Sequence, residues 1–386
     1  MSRHNMFCMI RLREELEALG YHDKDTLFGA PYDLRRAPPT SGQPSQVYSD
    51  YYARVKDLVH HASEKNGNKP VILIGHSFGS RVILDFLNST SLSWRQKLIK
   101  HMIVISPTPS TGFTQVVTNL ASGPADVIAV PAVPSLALRQ MWRAFESSLL
   151  SLPSPAVFGH KPLVITKNRN YSAYDYPHFL AALGFSTDEV VPFTKRVLPT
   201  MLRVDAPMVP TTYLNGAGVQ TMEHVMYWEG NFDVAPVIVH GDRDGCINLV
   251  SVLSFAKELH RQQRQNNIHF KFVKIDHATH YDIASREHSL RIIMNEVLEA
   301  NCSRVKASTA PLAAAAARLF RWLTPAEQLE RRRQGLCFNC DEPYVPGHVC
   351  PRLFCLEATD YIEEDPAAAG LGDQPAPIDA EVFGDR

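Results

Sequence analysis

Apolar and polar positions along this chain change period several times. Met9, Ile10, Leu12, Leu16 and Leu19 recur at helical spacing over residues 8–20, and Gly20 stops the pattern. Residues 48–65 repeat that period, with Tyr51, Val55, Leu58 and Val59 on one face. VILIG at 71–75 is wholly apolar, which predicts a short strand buried on both faces, as in a parallel sheet. A helical stretch at 80–88 and a second apolar strand at 101–106 follow. That spacing predicts a βαβ unit with a right-handed crossover. Residues 107–230 lose this regularity, are rich in Pro, Ser and Gly, and read as an excursion from the sheet. Alternation then returns: a strand at 236–241, a helix near 250–263, a strand at 269–275 and a helix at 286–299. The whole pattern predicts an α/β fold.

After Asn301 the pattern changes. Residues 302–317 read as a linker, 318–362 as a separate basic and Cys/His-rich segment, and 363–386 as an acidic, disordered tail. The chain has 386 residues, enough for one large domain with appendages. Lys and Arg number 39, Asp and Glu 40, and the formal net charge of -1 gives no global attraction to nucleic acid or acidic membranes. Five of the seven cysteines crowd the last 85 residues, a distribution unlike a disulfide scaffold. The N-terminus lacks the layout of a signal peptide, and no apolar run is long enough for a membrane span. Cytoplasmic location is therefore the default expectation.

Candidate chemistry sits where the first strand meets the next helix. Gly75-His76-Ser77-Phe78-Gly79 matches G-x-S-x-G, and its strand–turn–helix setting is that of a nucleophile elbow. Such a turn exposes the Ser77 hydroxyl, and the Phe78 N–H faces the same spot as an oxyanion donor. A serine needs a base and the base an orienter. DRDG after the strand at 236–241 offers Asp242 and Asp244, and DHATH after the strand at 269–275 offers His277 and His280. Position alone does not choose within either pair.

LFGAPYDLRRAP, GHSFGSRVILDFLN, SWRQKLIKHMIVIS and DRDGCINLVS, together with the blocks at 161–185 and 206–221, resemble the lecithin:cholesterol acyltransferase family, its plant members most. The resemblance spans about residues 8–301. It implies an α/β-hydrolase fold, a mostly parallel sheet with helices on both faces, with a cap at about 107–230. It also implies acyl transfer from a phospholipid to a sterol-like alcohol or to water, at a lipid surface. The family's nucleophile matches Ser77, its acid Asp244 in Asp244-Gly245-Cys246-Ile247-Asn248, and its base His280, which breaks both ties; no cofactor is implied for this chemistry. Cys246 replaces the usual threonine, and Leu34 the usual tryptophan between Asp33 and Arg35. Family members also begin upstream, with a strand and a Pro-Gly loop that gives a second oxyanion N–H. The expectation is a hydrolase sheet without its N-terminal strands, and secretory routing would depend on that upstream part. The alternative reading is a catalytically incomplete remnant.

Cys337-x2-Cys340-x7-His348-x-Cys350 offers three thiolates and an imidazole, a donor set suited to tetrahedral structural zinc. Residues 318–362 resemble the zinc knuckle of gypsy-type retrotransposon gag–pol polyproteins. That resemblance implies single-stranded nucleic acid as a partner of this segment.

Overall fold

The computed structural model describes residues 8–39, 44–108, 110–124, 135–201 and 204–302, with Glu330 and Gln334 beyond them. The linker, the Cys/His segment with Cys337, Cys340, His348 and Cys350, and the acidic tail lie outside the described residues, those two apart.

Four strands form the main sheet: β1 (Val71–His76), β2 (Ile99–Ile105), β5 (Thr211–Ala217) and β8 (Phe270–Asp276), in the order β1-β2-β5-β8 and all parallel. Alternating side chains send β2 into two cores. Met102 and Val104 pack with α2 (Gln46–Lys65), α3 (Phe78–Ser89) and α4 (Leu249–Gln265) on one face. Ile103 and Ile105 pack with α1 (Cys8–Ala18) and α5 (Glu287–Cys302) on the other. Helices thus cover both faces, as an α/β-hydrolase fold requires.

The expected helices and all four expected strands form within a few residues of their predicted ends, three of the strands in the main sheet. VILIG is only partly buried apart from Gly75, because β1 is an edge strand among the described residues, whereas β2 and β5 lie inside the sheet. The larger difference lies at 211–243. TTYLNGA, inside the span read as cap, is the fully buried strand β5. PVIVHG is no main-sheet strand. It belongs to β7 (Val237–Arg243), which pairs antiparallel with β6 (Val219–Met226) in a second sheet.

That sheet has the order β4-β3-β6-β7, with β3 (Val164–Ile165) and β4 (Asn170–Tyr171) short. It shares a separate apolar core with cap helices Gln115–Ala121 and Tyr176–Ala182, built on Val117, Leu120, Phe179, Leu180 and Val225. The β6–β7 hairpin leaves the end of β5 and returns to it, so Val219 bridges both Arg243 and Asp244. This return sets the residue after β7 beside the C-terminal edge of the main sheet. Among the described residues no helix is long and apolar enough to cross a membrane.

Candidate active site

β1 and α3 meet too closely for a side chain at Gly75. A Cβ there would lie 2.7 Å from Ile83 Cδ1 and 2.9 Å from the Ser80 nitrogen. Gly79 is less constrained, with the Tyr32 ring at 3.5 Å. Between them Ser77 takes φ 53° and ψ −129°, a conformation non-glycine residues rarely adopt, at a cost of about 1–3 kcal/mol. Three hydrogen bonds hold this elbow. Ser77 N–H donates to the Ile105 carbonyl at 3.0 Å, and the Ser77 carbonyl accepts from Ser80 N–H at 3.0 Å and from Thr108 N–H at 3.1 Å. Phe78 opens α3, its ring buried against Tyr32 at 6.1 Å.

The elbow points Ser77 Oγ at His280 Nε2, 2.8 Å away. On the far side of that ring, Nδ1 lies 3.2 Å from Asp244 Oδ2. The carboxylate can only accept, so Nδ1 carries the proton and Nε2 is free to accept from Ser77. Asp244 Oδ1 accepts the N–H groups of Cys246 at 3.0 Å and Ile247 at 2.8 Å, and Oδ2 takes Asn215 Nδ2 at 3.2 Å. Burial alone would raise the Asp244 carboxyl. The adjoining His280 and these donors outweigh it and hold the group below the usual carboxylate range. Asp244 and His280 are both buried, 0% and 4% exposed, so water cannot replace either partner.

Ser77, Asp244 and His280 thus come together, whereas Asp242 and His277 do not. Asp242 is exposed and accepts the Gly218 N–H at 3.0 Å, which is turn chemistry. His277 is exposed at φ 57°, its N–H on the Ala217 carbonyl. Cys246 lies buried at the acid's turn, and burial pushes its thiol well up, so it stays protonated. Leu34 is exposed in a loop that Glu146 anchors through the Arg35 carbonyl and the Ala37 N–H.

Three further contacts were not anticipated: Asn215 on Asp244, Thr108 Oγ1 at 3.2 Å from Ser77 Oγ, and His76 Nε2 at 2.8 Å from the His280 carbonyl. Asn215 stands in a strand that polar composition disguised. His76 was visible inside the Gly75–Gly79 motif itself.

Comparison with known proteins adds lineage to this geometry. The family model "Lecithin:cholesterol acyltransferase" matches residues 4–215, a span that holds Ser77 and stops short of Asp244 and His280. Lecithin-cholesterol acyltransferase-like 1 of Oryza sativa subsp. japonica is 41% identical over 63% of this chain and 55% of its own. The protein of that name from Arabidopsis thaliana is 40% identical over 72% of this chain and 62% of its own. A lysosomal phospholipase A and acyltransferase of Rattus norvegicus is 29% identical over 74% and 65%. The chain therefore spans less than two thirds of each of these relatives. With more than half its length matched by the family model, it belongs to the lecithin:cholesterol acyltransferase family.

Proposed function

We propose that this chain is a serine-dependent lipid acyl enzyme that moves an acyl group from a phospholipid to a sterol-like alcohol or to water. The observation that carries the reading is the continuous hydrogen-bonded series Ser77–His280–Asp244. The names of the family and of the rat relative support the donor and acceptor classes.

In the first half-reaction, Ser77 Oγ attacks the ester carbonyl carbon as its proton passes to His280 Nε2. Negative charge collects on the carbonyl oxygen, toward which the Phe78 N–H is assigned as donor. The ester C–O bond then breaks, and His280 returns the proton to the departing lyso-lipid oxygen. In the second half, the acceptor hydroxyl gives its proton to His280 and attacks the acyl–Ser77 carbonyl. The acyl–Oγ bond breaks, and His280 hands the proton back to Ser77. Asp244 holds the ring in the required tautomer and balances its charge in both halves. This chemistry needs no cofactor.

The test is a p-nitrophenyl acyl ester followed by stopped flow. A burst equal to the enzyme concentration, lost in Ser77→Ala, is expected. Equal turnover by the Ser77→Ala chain would sink the reading.

A further inference from the structure

The base is gripped through its backbone as well as through its ring. His280 N–H donates to the Asp244 carbonyl at 2.7 Å. The His280 carbonyl lies 2.8 Å from His76 Nε2. Because a carbonyl only accepts, that imidazole nitrogen carries a proton and donates. Both backbone groups of His280 are therefore taken from the turns that carry the other two members of the series: by Asp244 itself, and by the residue next to Ser77. The His76 and His280 rings lie 5.2 Å apart, tilted by 44°, so the two imidazoles also touch. Burial, and then the nearby His280, push His76 down to about 4, so the ring stays a neutral donor at neutral pH.

His280 needs this hold because its segment has no regular structure. Between the end of β8 and α5 the chain turns through His277 at positive φ and short local bonds such as Thr279 N–H to Asp282. A tilt of that segment would carry Nε2 away from Ser77.

We infer that His76 is a positioning residue for the base: by donating to the His280 carbonyl it fixes how the His280 segment sits over Ser77. It acts through His280 and not on the substrate, and the inference rests on the nucleophile reading above. Because a displacement of about 1 Å at a reacting group can cost on the order of 100-fold, a partial loss of the clamp should cost about tenfold in kcat.

Two variants separate the donor from the ring. His76→Phe keeps an aromatic ring and removes the N–H, while His76→Gln places an amide N–H near the same point. Expected for His76→Phe are a kcat lower by about tenfold, a KM within about twofold of wild type, and faster amide exchange at residues 278–281. His76→Gln should restore most of kcat and the slow exchange. Wild-type kcat and exchange in His76→Phe would overturn the inference, as would a His76→Gln chain as impaired as His76→Phe. If His76→Phe does not fold, His76→Leu, which also lacks the donor, takes its place with the same expected and overturning outcomes. The exchange readout does not depend on turnover, so it reports the clamp even if Ser77→Ala retains activity and the nucleophile reading fails.

Discussion

Strand β5 carries two threonines, a tyrosine and an asparagine, yet every one of its residues is buried. Strand β7 begins Val-Ile-Val, and Val237 remains 64% exposed. β5 leads into the β6–β7 hairpin of which β7 is the second arm, and the two strands have composition and burial reversed. β5 sits between β2 and β8 with helices on both faces, so its polar groups can find partners only inside the protein, which the Tyr213 hydroxyl does not. Thr212 meets His101 at 2.9 Å, Thr211 bonds the Val209 carbonyl, and Asn215 reaches Asp244. β7 lies at the edge of the second sheet, where only Ile238 of its leading three packs on the cap core and Val237 and Val239 face outward. The lesson is that layer position decides burial, and that of the polar residues in β5 only Asn215 serves the site.

The sharpest way to break this contrast is at the hairpin's return. Asp244→Asn should lower kcat by about 10³–10⁴-fold, because the amide favours the wrong His280 tautomer. Asp242→Asn, two residues earlier and exposed, should stay within about twofold; ester turnover distinguishes them. Core and edge then separate by stability. Tyr213→Ala in β5 should cost about 3–5 kcal/mol, since it empties a stack with Phe272 at 5.3 Å. Val237→Thr in β7 should cost under about 0.5 kcal/mol. Urea titration of both measures the difference.

A separate readout is acid sensitivity of the buried sheet. His101, pressed by burial and then by His269, is pushed down to about 4 from an ordinary 6.5, and His76 behaves alike. Between those values the unfolded chain binds protons that the folded chain refuses. Stability should therefore be full above about pH 6.5 and fall as pH drops toward 4. The melting temperature should decline by about ten degrees over that window, and His101→Gln should reduce the decline. A flat profile in the wild-type chain would contradict the assigned burial.

Most of the scaffold could be read from periodicity. VILIG, HMIVI and HFKFVKI are apolar enough to declare strands, and the flanking helices carry clear 3.6-residue faces. TTYLNGA could not be found that way, because Thr212 meets His101 111 positions away and Asn215 meets Asp244 29 positions away, pairings which a local window does not see. PVIVHG was legible as a strand and misplaced, since an apolar triplet looks alike in a sheet centre and on a hairpin edge. The elbow was legible because Gly75 and Ser77 stand in one short motif with a steric reason for each. Choosing Asp244 over Asp242 and His280 over His277 needed either family likeness or coordinates, because a two- or three-residue difference within a turn carries no periodic signal.

The bond from His280 to Ser77 closes a loop of 203 residues. At a synthesis rate of about 5–20 residues per second, the serine leaves the ribosome roughly 10–40 s before its base. Throughout that interval Ser77 has been made and His280 has not. The Ser77–His280 contact is thus a late event in biogenesis, and a contact of such range is slow to form during refolding as well.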